Sequence, residues 1–91
     1  MEFEWDPRQA ARNARKHGVS FAEAATVFAD PLSMTVEDPD HSSREERCII
    51  IGWSNRQRLL MVAQAEHGDR IRISSARELT RVERETYEQE T

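Results

Sequence analysis

Arg47-Cys48-Ile49-Ile50-Ile51-Gly52-Trp53, Arg58-Leu59-Leu60-Met61-Val62-Ala63-Gln64-Ala65 and Arg70-Ile71-Arg72-Ile73-Ser74-Ser75 are three apolar-rich runs in succession. Only Ser54-Asn55-Arg56-Gln57 and Glu66-His67-Gly68-Asp69 separate them. Short runs rich in isoleucine, valine and leucine, bounded by Gly, Asn, Asp and Ser clusters, read as strands. Connections this short keep neighbouring strands antiparallel, because a parallel crossover needs a dozen or more residues. The stretch therefore predicts an antiparallel meander, and the rest of the chain must cover it.

Upstream, Leu32–Val36 predicts one more strand, followed by a polar loop over Glu37–Ser43. Ser20 and Glu23 have capping-box spacing, and Val19 with Ala24 has that of a hydrophobic staple. Phe21, Ala24, Ala25 and Phe28 then fall at i, i+3, i+4 and i+7, one buried helix face ending at Asp30-Pro31. Before it, Asp6 as N-cap and Pro7 at the first helical position open a helix that runs to His17. Gly18 supplies its left-handed stop, and Ala10, Ala11 and Ala14 form a narrow apolar stripe. Phe3-Glu4-Trp5 reads as a short strand. Downstream, Ser75 and Glu78 repeat the capping-box spacing before a charged helix with Leu79, Val82 and Tyr87 as its apolar contacts. The order β-α-α-β-β-β-β-α predicts an α+β fold: a small twisted antiparallel sheet with helices on one side, its other face open to solvent or a ligand.

Ninety-one residues predict one domain spanning 1–91. The single cysteine, Cys48, cannot form an internal disulfide, and the N-terminal residues show no basic region followed by an apolar run. No stretch reaches the roughly 18 apolar residues of a membrane span. A cytoplasmic protein with no membrane contact is the expectation. The net charge is −4, but it is unevenly spread. Residues 7–19 carry Arg8, Arg12, Arg15 and Lys16 with no acid, and residues 47–77 hold six arginines against Glu66 and Asp69. A local basic patch is enough to bind phosphates, whatever the net charge.

Strand alternation puts Arg70, Arg72 and Ser74 opposite Ile71 and Ile73, so Arg72 points to the open face. Arg77 follows at the predicted strand-to-helix junction, where helix amides also favour an anion. Two guanidinium forks there make a phosphate clamp. The structural alternative for Arg77 is a pairing with Glu46 or Asp30. His41 and Glu46, at the entry to a strand, form a candidate acid–base pair, with Arg47 beside them as a phosphate contact or partner of Glu46. Lys16 and His17 close the first helix as further candidate phosphate contacts, or as its C-terminal cap. Asp38, Asp40, His41 and Glu45 match no metal-site spacing, and Gly-rich phosphate loops and a nucleophile elbow are absent. Neither a metal nor a cofactor is expected.

Several of these residues also compose a pattern. Phe3-x-Trp5-Asp6-Pro7, Asn13-x-x-Lys16-His17-Gly18-Val19-x-Phe21-x-x-Ala24 and Phe28-x-Asp30-Pro31 form its first half. Asp38-x-x-His41, Glu46-Arg47, Gly52, Ile71-Arg72-Ile73, Ser75-Ala76-Arg77, Glu83 and Tyr87 form its second. Together they resemble the BrnT family of bacterial toxins. The resemblance implies a RelE-like ribonuclease that inhibits translation, neutralised by a BrnA-like antitoxin with a ribbon-helix-helix DNA-binding domain. Two positions depart from the family pattern: Ser74, where an isoleucine is usual, and Leu79, where a small residue is. On this reading the ribose 2′-hydroxyl of an RNA substrate attacks the adjacent phosphorus without a metal. Arg72 and Arg77 stabilise the charge, Glu46 or His41 is the base, and His17 or Lys16 supplies the proton or positions the phosphate. The alternatives are a non-catalytic nucleic-acid or antitoxin-binding module, and a metal-dependent hydrolase around Asp38-x-Asp40-His41.

Overall fold

The predicted meander is present and is extended at both edges. A computed structural model describes residues 1–37 and 47–90. In chain order it contains β1 (Glu2–Glu4), α1 (Pro7–His17), α2 (Phe21–Thr26), a 3₁₀ turn (Val27–Ala29), β2 (Met34–Glu37), β3 (Arg47–Trp53), β4 (Leu59–His67), β5 (Arg70–Glu78) and α3 (Arg81–Glu90). The five strands form one sheet in the order β1-β5-β4-β3-β2. The expected α+β class and element order are the ones found, but the helices are not all on one side: α2 packs on the core face, and α3 lies against the opposite face beside Ile51 and Met61.

Four strands are antiparallel neighbours, but β1 lies parallel to β5, with Phe3 opposite Ile71. The helices between β1 and the meander supply the long crossover that parallel pairing needs. One sheet face carries Ile50, Leu60, Val62, Ile73 and Ala76, which pack with Val19, Phe21, Ala24 and Val27 into the core. Phe3 and Phe28 close one end, their rings 5.0 Å apart.

Both N-terminal helix caps are as expected. Asp6 accepts from the Arg8 amide at 2.9 Å, and Ser20 Oγ accepts from the Glu23 amide at 3.0 Å. Gly18 takes the left-handed conformation, with φ 69°. The Glu23 side chain, however, does not close a capping box. It is buried, accepting from Ser54 Oγ (2.6 Å) and Arg58 Nε (2.9 Å) and pairing with the Arg58 Nη2. The guanidinium holds this carboxyl below its ordinary range, against the opposing effect of burial. The pair ties α2 to the β3–β4 turn.

Two boundaries differ from expectation at the C-terminal end. β5 does not stop at Ser75 but continues to Glu78, because Ala76, Arg77 and Glu78 find partners in Val62, Met61 and Leu60 of β4. The capping box is therefore not Ser75–Glu78 but Thr80–Glu83. Thr80 Oγ1 accepts from the Glu83 amide at 3.2 Å, and Glu83 Oε1 accepts from the Thr80 amide at 2.8 Å. Of the apolar contacts expected for this helix, Tyr87 is buried and Val82 is exposed. The α1 stripe is also rotated: Ala11 and Ala14 are exposed, while Asn13 is buried.

Candidate nucleic-acid interface

Directly opposed residues in a sheet share a face, so strand register builds the open face row by row. One row is Arg47–Ala65–Arg72, running from β3 across β4 to β5. The next is Ile49–Ala63–Ser75, and the third is Ile51–Met61–Arg77. In the first row the alanine leaves a gap between two arginine stems about 10 Å apart, two strand spacings. Among the described residues neither Arg47 nor Arg72 has an ion-pair partner. Glu4 of β1 continues the row beyond Arg72 and pairs instead with His67 Nδ1 at 3.3 Å.

Simple alternation does not put Arg77 on this face, since it is five residues beyond Arg72. A β-bulge does. Gln64 opposes Ile73 while Ala63 opposes Ser75, which leaves Ser74 as the extra residue. Its hydroxyl donates to the Ala63 carbonyl at 3.2 Å. Beyond the bulge the alternation is inverted, so Ala76 enters the core and Ser75 and Arg77 join Arg72 on the open side.

Next to the bulge, Asn13 fastens α1 to β5. Its Nδ2 donates to the carbonyls of Val19 (2.9 Å) and Ala76 (2.8 Å), and its Oδ1 accepts from the Ala76 amide (3.1 Å). β1 pairs only with residues 70–72, so the Ala76 backbone edge lies beyond its reach. Asn13 stands in for the missing strand and satisfies both groups. This brings the last turn of α1, with Lys16 and His17, beside Ser75.

The result is a groove of three contiguous lobes. The first, about 140 Å³, lies between Arg47, Ala65 and Arg72, with Asp6, Gln9 and Ser74 at its side. The second, about 320 Å³, is lined by Arg12, Lys16, His17 and the two serines of the bulge. The third, about 380 Å³, is bordered by Lys16, His17, Ser75 and Arg77 and floored by Ile49, Met61 and Ala63. Beyond Met61 the open face continues as an apolar groove against α3, lined by Met34, Val36, Ile51, Leu79 and Val82.

Arg77 is committed. Its Nη1 and Nη2 donate to the two Glu83 oxygens at 2.7 and 2.9 Å, and Nη1 also donates to the Glu78 carbonyl at 3.2 Å. The fork raises the guanidinium pKa and, with the Thr80 amide, drives the Glu83 carboxyl down to about 2. The anion at the α3 N-terminus is thus the protein's own. Of the two suggested partners, Asp30 is engaged elsewhere, its Oδ2 accepting from the Trp53 amide at 2.8 Å and its Oδ1 from the Leu32 amide at 3.0 Å, and Glu46 lies outside the described residues.

His41, Asp38, Asp40 and Glu45 also lie outside the described residues. Of the other candidates, Arg47, Arg72, Lys16 and His17 converge on the groove, whereas Arg77 borders it through its ion pair. Arg12, Asn13 and the bulge serines join them unforeseen. The signal for Asn13 was a polar residue three positions after Ala10, beside the predicted alanine stripe. Among the described residues no group of three His, Cys, Asp or Glu side chains is arranged to hold a metal ion.

A family model described as ribonuclease toxin, BrnT, of type II toxin–antitoxin system matches residues 5–83. The 1.1 Å crystal structure of the Brucella abortus ribonuclease toxin BrnT is similar in fold, with a TM-score of 0.68 at 20% identity. The alignment covers 89% of this chain and 99% of that one. No curated protein matches the chain.

Proposed function

Because the chain belongs to the BrnT family of ribonuclease toxins of type II toxin–antitoxin systems, we propose that its groove binds single-stranded RNA and cleaves it through the RNA's own 2′-hydroxyl. The observation that carries this reading is the Arg47–Ala65–Arg72 row, two guanidinium groups on an open face with no carboxylate bound to either among the described residues. A phosphate between them gains charge-assisted hydrogen bonds from both sides.

In the proposed step the 2′-oxygen attacks phosphorus as its proton leaves to a base. The bond from phosphorus to the 5′-oxygen then breaks, giving a 2′,3′-cyclic phosphate, and the departing 5′-oxygen takes up a proton. Arg72 and Arg47 stabilise the extra negative charge on the phosphorane oxygens. His17, which lines the second and third lobes, would exchange a proton with the reacting oxygens in this scheme, with Lys16 as a further phosphate contact. Arg77 acts through Glu83, holding α3 on the sheet. Glu46 or His41 keeps the proposed role of the base. No step in this scheme uses a metal. In the cytoplasm a cognate antitoxin with a ribbon-helix-helix domain would neutralise the protein and so restore translation.

The test is cleavage of a defined RNA by purified protein in EDTA. Arg72→Ala is expected to lower the rate by about 10²-fold or more while leaving thermal stability unchanged, as for loss of a transition-state charge donor. An Arg72→Ala protein that cleaves at the parent rate would remove the arginine row from the mechanism. A parent protein that binds RNA but never cleaves it would leave a non-catalytic binding module.

A further inference from the structure

We propose that the third lobe is a nucleobase-binding subsite, taking one unstacked base of the RNA while the Arg47–Arg72 row holds its phosphate. The inference rests on the proposal that the groove binds RNA, and names what the apolar floor of its third lobe is for. The first lobe sets Asp6, Gln9 and Ser74 around the Arg47–Ala65–Arg72 row, and the second is lined by Gln9, Arg12, Asn13, Lys16, His17 and the two serines. In the third lobe Lys16, His17, Ser75 and Arg77 stand around a floor of three half-buried apolar side chains, Ile49, Met61 and Ala63.

Three features fit a flat aromatic heterocycle. Ile49, Ala63 and Ser75 are direct cross-strand neighbours, so they form a level platform, and the alanine makes a dip at its centre. Met61 borders that dip, and a thioether about 5 Å from an aromatic ring makes a favourable contact that tolerates any ring shape. The rim carries Ser75, whose hydroxyl both donates and accepts, and His17, whose imidazole can do either. These are the groups that hydrogen-bond a base edge, while the floor takes its π-face.

Position favours a nucleobase over an unrelated apolar ligand. Ala63 is two residues from Ala65 on β4, so the platform lies about 7 Å along the strand from the arginine row. The lobes are continuous through Ser74 and Ser75. A ligand anionic at one end and planar and apolar at the other meets both regions at once. The 380 Å³ volume is within the usual range for small-molecule sites.

The experiment is methyl NMR on protein labelled at methionine and alanine methyls. It is titrated separately with the four ribonucleoside 5′-monophosphates and with ribose 5-phosphate, which has the phosphate and sugar but no base. The Met61 and Ala63 methyls are expected to shift with at least one nucleotide and to stay in place with ribose 5-phosphate. Ala63→Leu, which fills the dip, is expected to weaken nucleotide binding about tenfold or more and to leave ribose 5-phosphate binding unchanged. The proposal is overturned if both methyls ignore all four nucleotides, or respond equally to ribose 5-phosphate. A folded Ala63→Leu protein that binds nucleotides like the parent overturns it too. None of these readouts needs RNA cleavage, so an inactive ribonuclease and an unused lobe are distinguishable results.

Discussion

Gly52 shows how little room single positions in this sheet leave. A Cβ there would stand 2.9 Å from Asp30 Oδ2, 3.0 Å from Ser33 Cβ and 3.1 Å from Val27 Cγ1. Val27 is core and Asp30 is held by two backbone amides, so neither yields easily. Gly52→Ala is expected to cost about 1–3 kcal/mol, read as a lower denaturant midpoint at unchanged m-value. Asn13 is the opposite case, a side chain that cannot be shortened. Asn13→Ala leaves the Ala76 amide and two carbonyls without partners in a buried place, a loss of about 2–3 kcal/mol. Faster amide exchange at Ala76 than at the neighbouring Val62 pairing would locate that loss at the α1–β5 join. The two arginines of the family signature separate on the same scale. Arg72 is exposed with no ion-pair partner among the described residues, and Arg77 is bound at both nitrogens, although both lie on the same face.

At the scale of elements, α3 is the weakly held piece. Of its described side chains only Tyr87 is buried, its hydroxyl donating to the Leu32 carbonyl at 2.9 Å. Arg84 adds a contact over the Trp53 ring, 5.0 Å from its centre. The remaining anchor is the Arg77–Glu83 fork, in which Glu83 also caps the helix. Glu83→Gln is expected to cost roughly 1 kcal/mol, since the pair is partly exposed, and to speed amide exchange across α3 before the rest of the fold. The sign with pH follows from the depressed carboxyl. Its contribution is whole above the ordinary value of 4.5 and is lost as pH falls through about 2. The stability difference between parent and Glu83→Gln should therefore shrink over that interval, measured by thermal unfolding at stepped pH. A constant difference down to pH 2 would mean that the ion pair contributes nothing.

For the whole molecule the net charge of −4 predicts weak attraction to RNA, and the groove predicts a local exception. Arg12, Lys16, Arg47 and Arg72 line its lobes. If three or four of them meet phosphates, the logarithm of RNA affinity should fall with the logarithm of salt at a slope of about −2 to −3. Binding that ignores salt would place the interaction on the apolar groove beside α3 instead. Asp6 and Gln9, at the start of α1, border the Arg47–Arg72 end of this groove.

The meander, the first two helices with their caps and the grouping of basic residues were determined by the sequence alone, because each rests on local rules. Apolar periodicity, capping side chains and turn residues act within a few positions of the chain. Lys16, His17 and Arg72 were legible as basic residues at a helix end and on a strand face, and the BrnT pattern contains all three. Only tertiary structure decided the rest. The β5 boundary passed Ser75 because β4 and Asn13 offered its backbone partners, a contact across 63 residues that outweighs a local capping pattern. The bulge at Ser74 inverted the alternation, which no period-two reading anticipates. Arg77 was legible as a cation at a strand-to-helix junction, but its place on β5 and its engagement depended on the pairing with β4 and on where Glu83 came to lie. Residue type and spacing determine which groups are available, and long-range hydrogen bonding and register decide which of them remain free to meet a ligand.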